Sequence, residues 1–372
     1  MTIFYIIANL KKRNTGKGGS FHSAATIAKA MSNKHEVFFF VIGDFDSEAV
    51  AHILNNNYIY LDTSGFLGKI EALYLYIKYL FKYKPSITHV FGNNVLFLTY
   101  LAQVITKSRT IFTKCGKGNS GFSANHFHNI ITISYENFDY LDQNKSKFSY
   151  PIKNLGYFPN RILPFDQDKY LIHSLKTLIN YHPNDFIILR IGRLNSYYQE
   201  GIIASINFFK NNYDNNSNVK LLLVGHRDES LDLTKYEGIK NVFIIDTPEF
   251  TKNPKTILSI ADIKITNGRT TMEACYTGGN IAIPTKKHGL VRLSKDNWQE
   301  MLHYNFSERV ELSEKLLISE VYDENFPMEI FHDNFNANSI VDGVTMFYQN
   351  SSYDKMSIKN WIIWGRIFFN KF

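Results

Sequence analysis

A chain of 372 residues that is 44% hydrophobic exceeds the ~250–300 residues at which one core stops growing, which excludes a mostly disordered protein and predicts two domains. Its two cysteines, Cys115 and Cys275, lie far apart, so no disulfide framework is implied and a reducing compartment fits. A formal net charge of +7 beside 30 Phe, 23 Tyr and 3 Trp suits nucleic acid, an anionic membrane surface or a phosphorylated substrate, and a biased coding composition yields the same aromatics.

In chain order, residues 2–9 (TIFYIIAN) form a β-rich apolar run, followed by Gly16-Lys17-Gly18-Gly19-Ser20. No uninterrupted apolar run of about 20 residues occurs, which argues against a spanning helix. The first apolar stretch precedes the cluster Lys11-Lys12-Arg13, the reverse of a signal peptide. Residues 20–34 carry Ala24, Ala25, Ile27, Ala28 and Met31 at helical spacing. A strand at 36–44, a helix at 47–55, a strand at 58–62 and a basic aromatic helix at 69–83 follow. Then come a strand at 87–92, a helix at 95–106 and strands at 110–115 and 129–134. Apolar strands joined by helices predict a parallel sheet covered on both faces.

The stretch 150–185 holds Pro151, Pro159, Pro164 and Pro183, and only one helical segment, near 170–180. It is expected to connect two domains. Alternation resumes with a strand at 186–194, a helix at 201–209, strands at 219–225 and 241–246, and a helix at 254–260. A strand at 263–266, a helix at 270–276 and a strand at 280–284 complete a second doubly wound unit. The expected domains are 1–165 and 166–350, with an amphipathic tail at 351–372 that either returns to the first domain or lies on a membrane.

The glycine-rich stretch 16–20 joins a strand to a helix. Gly18, Gly19 and Ser20 would let backbone approach a phosphate or sugar oxygen at a helix N-terminus. It is neither a Walker A sequence nor a dinucleotide fingerprint. A G-x-G-x-x-G string at 116–121 follows a late strand with no clear helix after it, so it reads as a further cleft loop and not an NAD site. Asp44-Phe45-Asp46 has the D-x-D form used for divalent metals in some sugar-transfer enzymes, yet Asp46 or Ser47 is placed to cap the next helix. Capping is the expectation, and no metal site is predicted. No nucleic-acid recognition motif accompanies the positive charge, so nucleic acid is not expected as a partner.

The second half is sharper. Ile188–Leu194 reads ILRIGRL, a strand emptying into Gly192-Arg193, where a planar guanidinium suits a diphosphate. Later, Gly268-Arg269-Thr270 opens a helix that carries Glu273. The helix amides suit phosphate, and the carboxylate suits two neighbouring ribose hydroxyls. The segment Asp246-Thr247 ends another strand, where a base would lie.

These pieces together resemble the GT-B glycosyltransferases, in particular family 4-like enzymes of bacterial capsule and lipopolysaccharide synthesis. They are the Gly-Gly-Ser helix start, Ile191-Gly192-Arg193-Leu194, Leu223-Val224-Gly225, and Gly268-Arg269 through Glu273-Ala274 with Gly278 and Pro284. The resemblance implies an α/β fold of two Rossmann-like, doubly wound parallel-sheet domains facing a cleft. It implies a nucleotide-sugar as co-substrate, no cofactor, no metal, retention of configuration, and a glycan or lipid-linked acceptor on the first domain. Location in the cytoplasm, with peripheral attachment to the inner membrane face, follows as an expectation.

Three positions depart from the family pattern. Ile265 stands where an earlier glutamate is common, and Glu200-Gly201 stands where a lysine-glycine is common. Cys115 stands where an N-domain histidine would fall, and Lys114, Lys117 or His89 is expected to take over part of its task. Cys115 and Glu200 keep open a catalytically silent subunit that binds a partner or glycan.

Overall fold

The computed structural model describes residues 1–10, 18–115, 124–148, 150–214, 216–312, 326, 328–353 and 365. Gly16 and Lys17 of the first glycine loop, the 116–121 string with Lys117, and the aromatic tail from 358 apart from Gly365 lie outside them. Contacts divide the chain into one unit of Met1–Leu163 with Ala337–Phe372 and a second of Pro164–Asn336.

The first unit runs β1 (Thr2–Asn9), α1 (Gly19–Met31), β2 (Glu36–Gly43), α2 (Glu48–Leu54), β3 (Ile59–Asp62), α3 (Gly65–Tyr83), β4 (Ile87–Val90), α4 (Leu96–Thr106), β5 (Arg109–Lys114), β6 (Asn129–Thr132), α5 (Tyr135–Asn144) and β7 (Asn154–Tyr157). Its strands pair in parallel in the order β3-β2-β1-β4-β5-β6-β7. Alternate residues of β1 feed two cores. Ile3, Tyr5 and Ile7 pack with α1, and Phe4 and Ile6 pack with α3 and α4. That two-sided burial explains the continuous apolar run of the strand.

The second unit runs α6 (Lys169–Leu178), β8 (Phe186–Ile191), α7 (Gln199–Tyr213), β9 (Val219–Val224), β10 (Val242–Ile245), α8 (Pro248–Thr251), β11 (Ile263–Ile265), α9 (Arg269–Thr277), β12 (Asn280–Thr285), β13 (Gly289–Arg292), α10 (Trp298–His303) and α11 (Met328–Asn334). The order is β10-β9-β8-β11-β12-β13, parallel except for β13 against β12. The chain then re-enters the first unit through α12 (Val341–Asn350). Val341, Val344 and Tyr348 of this helix are buried against residues of β1, α1 and β2.

Several expectations change. The stretch 150–185 is not only a connection, because β7 lies within it as the last strand of the first sheet. Asn-Leu-Gly-Tyr has no apolar run, and all four residues are half-buried, as suits an edge. The residues 337–350, expected in the second domain, pack in the first unit. The segment 254–260 forms a 3-10 helix and not an α-helix. Ser47 does cap α2, accepting from the Val50 amide at 3.3 Å, and Asn55 closes that helix in the left-handed region with φ of 51°.

Gly43 and Gly225 repeat one device in the two sheets. A Cβ on Gly43 would overlap the Asn9 carbonyl oxygen at the end of β1. On Gly225 it would overlap the Gly192 carbonyl oxygen just beyond β8. In both sheets the first two strands therefore leave side by side, closer than any side chain permits.

Candidate active site

In an open parallel sheet, ligands bind beyond the carboxyl ends of the strands, at the point where strand order reverses. In the second unit that point lies between β8 and β11. The turns after these strands carry Gly192 and Arg193 on one side and Asn267 and Gly268 on the other.

Beyond β8 the chain stays paired with the continuation of β9. The Gly192 amide donates to the Val224 carbonyl at 3.1 Å, and the Leu194 amide donates to the His226 carbonyl at 2.9 Å. Arg193 between them is exposed, and its charge acts on the phenol of half-buried Tyr198. Across the reversal, Gly268 has φ of 58° and ψ of −133°, a conformation that requires glycine, and its amide donates to the Phe306 carbonyl at 2.7 Å. Helix α9 starts there with no side-chain cap and no acidic residue in its first turn. The dipole of a helix N-terminus favours an anion. Thr270 is half-buried in that turn.

Glu273 is buried one turn on and pairs with Arg269, Nε to Oε1 at 3.2 Å. Burial pulls the Arg269 guanidinium below its ordinary range, and Glu273 opposes that shift. Lys255, also pulled down by burial, feels the same carboxylate. Two cations therefore flank Glu273, whose carboxylate is an acceptor-only group suited to hydroxyl donors. Asp246 and Thr247 are exposed at the end of β10, on the same edge of the sheet. The structure thus gathers Gly192, Arg193, Asp246, Thr247, Gly268, Arg269, Thr270 and Glu273 along one edge.

Glu200 occupies the first turn of α7, where the family pattern has a lysine. Its carboxylate lies 3.7 Å from Lys286 Nζ, and both side chains are well exposed. The repulsion that a bare carboxylate would exert on phosphate is thereby opposed.

In the first unit the strand order reverses between β1 and β4. Gly18 is buried, Gly19 exposed and Ser20 half-buried at the start of α1, whose cap is the Gly18 backbone without a side-chain bond. Ser23 Oγ meets Asn160 Oδ1 at 2.6 Å. A recess there is lined by Ser23, Thr26, Phe91, Thr113, Asn160 and Arg161. Lys114 ends β5 and is 8% exposed, and burial pulls its ammonium below the ordinary range against the pull of Cys115 and Glu136.

His89 does not belong to this edge, which corrects the expectation of a catalytic role. It is fully buried within β4, with Nδ1 2.5 Å from the Tyr348 hydroxyl and Nε2 2.6 Å from the Thr113 hydroxyl. Burial pushes its pKa down to about 3, so it is a neutral core residue. Asp46 is also engaged, accepting from the Ser47 amide at 2.7 Å and the Tyr58 hydroxyl at 2.5 Å. Among the described residues no group of three or more His, Cys, Asp or Glu side chains is placed to hold a metal ion.

No family model matches the chain, and no curated protein matches it. Solved structures do. HepE from Anabaena, in complex with UDP and glucose, is similar with a TM-score of 0.59 at 12% identity, over 94% of this chain and 99% of that one. A sucrose-phosphate synthase from Thermosynechococcus elongatus gives 0.56 at 13% identity, over 94% and 98%. A glycosyltransferase from Rickettsia africae gives 0.53 at 15% identity, over 99% of both chains. This chain has the GT-B fold.

Sequence reasoning missed Arg190, Lys286, Lys255 and Glu308 of this GT-B edge. One signal was available: Arg190 is a charge inside an otherwise apolar central strand, a placement found only where the charge is paired or used.

Glu273→Ala is expected to raise donor KM roughly tenfold or more with kcat within a few-fold, the mark of lost uniform binding. It should also cost ~3–5 kcal/mol of stability, because Arg269 is left buried without this carboxylate. Glu273→Gln keeps an acceptor for Arg269 and should separate the two effects. Steady-state kinetics with thermal unfolding checks this; an unchanged KM in the folded variants removes Glu273 from the site.

Proposed function

We propose that this chain is a metal-independent, family 4-like glycosyltransferase that takes a sugar from a uridine-diphosphate donor. The observation that carries the reading is the convergence, at the strand reversal of the second sheet, of Arg193, the N-terminus of α9 and the cation-flanked Glu273. A nucleoside diphosphate matches that set part for part. Arg193 and the α9 amides would hold the diphosphate, Glu273 the ribose, and the chain at Asp246–Thr247 the base. Uridine is proposed because the similar HepE structures contain UDP or UDP-glucose.

The bond between the anomeric carbon and the β-phosphate oxygen breaks as a new bond to the acceptor hydroxyl forms. Negative charge grows on the leaving diphosphate, and Arg193 with the helix amides stabilises it. The acceptor hydroxyl attacks on the face from which the diphosphate departs and passes its proton to the leaving phosphate oxygen. Retention of configuration accompanies the family 4 reading. The acceptor, a glycan or lipid-linked sugar of surface-polysaccharide synthesis, is assigned to the edge bearing Gly18, Gly19, Ser20 and Lys114.

The test is a panel of UDP-, GDP-, CMP- and dTDP-sugars, read by thermal stabilisation and by donor hydrolysis with and without EDTA. Saturation at 100 times Kd should add ~2.7 kcal/mol of stability. Hydrolysis that persists in EDTA supports the metal-independent reading, and hydrolysis restored only by Mg²⁺ or Mn²⁺ overturns it. Neither binding nor hydrolysis would favour the second reading, a catalytically silent GT-B subunit, to which Cys115 and Glu200 point.

A membrane surface is proposed for α3. Phe66, Leu67, Ile70, Tyr74 and Phe81 are exposed and share one face at helical spacing, with Leu67 80% exposed. Exposed Lys78, Lys82 and Lys84 flank them. Apolar rings with basic neighbours suit the interface of an anionic bilayer. Tyr76 of the same helix is buried and donates its hydroxyl to the Leu98 carbonyl at 3.3 Å. No described helix is long and apolar enough to cross a membrane. The protein is expected to co-sediment with phosphatidylglycerol vesicles at low salt, and Leu67→Glu/Phe81→Glu to abolish this. Absence of sedimentation by the wild type removes the membrane claim.

A further inference from the structure

Beneath the strand reversal of the second sheet lies a charged group that the donor reading above does not use. Arg190 sits in β8 two residues before Gly192, and its side chain is 2% exposed. Its Nη2 is 3.7 Å from Glu308 Oε1, and Glu308 is 7% exposed. The same carboxylate oxygen accepts from Asn267 Nδ2 at 3.2 Å. Asn267 directly precedes Gly268 and the start of α9. One oxygen thus ties the strand that carries Gly192 and Arg193 to the turn that carries the helix N-terminus.

Two glycines make room for this group. A Cβ on Gly192 would lie 3.1 Å from Arg190 Nη1, so the guanidinium takes the space that a side chain on the Arg193 turn would need. A Cβ on Gly201 would overlap Glu308 Oε1 and lie 3.1 Å from Pro284, so the carboxylate takes the space that a side chain in the first turn of α7 would need. Gly201 follows Glu200, in the place where a lysine-glycine is common in family 4.

The group is a poor device for stability alone. Among the described residues Arg190 Nε and Nη1 are buried without a hydrogen-bond partner, and the ion pair is long. A buried pair of this kind is commonly replaced by apolar side chains at no loss of stability. What it does supply is a fixed spacing between two turns, and a positive charge held under one of them.

We infer that Arg190, Glu308 and Asn267 form a brace that sets the separation of the two diphosphate-facing turns, with Arg190 a positioning residue for donor binding. The inference rests on the donor reading above. The brace is expected to act on the phosphates more than on the nucleoside, because it touches the turns after β8 and β11 and neither Glu273, assigned to the ribose, nor the residues assigned to the base.

The test compares UDP with uridine, by calorimetry for UDP and ligand-observed NMR titration for uridine. Arg190→Met/Glu308→Gln removes both charges, keeps side-chain size and leaves an acceptor for Asn267. It should fold with a Tm near that of the wild type. Its UDP affinity should fall roughly tenfold or more, on the scale of one lost hydrogen bond to a charged group, with uridine affinity unchanged. Asn267→Ala, which cuts the link at the turn, should produce the same selective loss and serves if the double variant does not fold. Equal UDP affinity in a folded variant, or parallel losses for UDP and uridine, overturns the brace while leaving the donor reading intact. Absence of UDP binding by the wild type overturns the uridine-donor reading and the brace with it.

Discussion

Arg193→Ala is expected to depress kcat by roughly 10²–10³, the scale seen when one preorganised electrostatic group is lost. The guanidinium leaves β8 on a segment still paired with β9, through the Gly192–Val224 and Leu194–His226 backbone bonds. That pairing fixes its backbone before any ligand arrives, so little reorganisation is needed as charge builds on the leaving group. The effect should fall on kcat more than on donor KM, because the diphosphate gains charge only as the bond breaks. Arg193→Lys should recover part of the rate, since a point charge replaces the fork without its two-oxygen geometry. Single-turnover rates with a UDP-sugar, once a donor is found, decide it. Near-normal turnover in a folded Arg193→Ala protein makes the residue a surface cation and moves the leaving-group site elsewhere.

The second large effect is expected from Gly225→Ala. The added methyl would overlap the Gly192 carbonyl oxygen and lie 2.8 Å from its carbonyl carbon. These obstacles are backbone, so no side-chain rotation relieves them. Either the Gly192–Arg193 turn shifts or β8 and β9 part beyond Val224. Overpacking of this kind costs about 1–3 kcal/mol or more. For a unit of this size, each kcal/mol lowers Tm by roughly 2–4 °C. Donor kcat/KM should fall with it, because the displaced atoms immediately precede Arg193. Gly238→Ala is the control, since no atom of the described residues beyond its chain neighbours lies within 4 Å of its would-be methyl. Equal melting curves for the two variants refute the account of Gly225.

Much of the fold is legible in the sequence because parallel strands buried on both faces are continuous apolar runs. Residues 2–9 and 186–191 announce themselves in this way. What was not legible lies where that pattern fails. β7 is a half-buried edge strand, β13 is a short antiparallel strand after a turn, and α5 is a polar helix with Asn137 and Leu141 as its buried residues. The site divides similarly. Gly192, Arg193, Gly268 and Glu273 follow strand ends and could be placed by spacing. Glu308 comes from a distant loop, and only the folded chain brings it to Asn267. His89 misled because an isolated histidine looks the same in sequence whether it faces solvent or, as here, a tyrosine in a helix 259 residues later.

The return of α12 to the first unit has a consequence for biogenesis. Tyr348 fills the space beside β1 and β4, its hydroxyl 2.8 Å from that of Tyr5, while Lys34 pairs with Asp342 at 2.6 Å. On the ribosome, the segment 1–163 emerges first yet lacks this plug until the whole of 164–336 has been made. At typical elongation rates that delay is on the order of ten seconds. Throughout it, Tyr5, Ala24, Ala28 and neighbouring residues present an uncovered apolar face to water. The second unit, continuous in sequence, is free to fold meanwhile. A nascent chain released before Tyr348 is therefore a natural client for a holdase, and the completed helix is the event that ends its vulnerability.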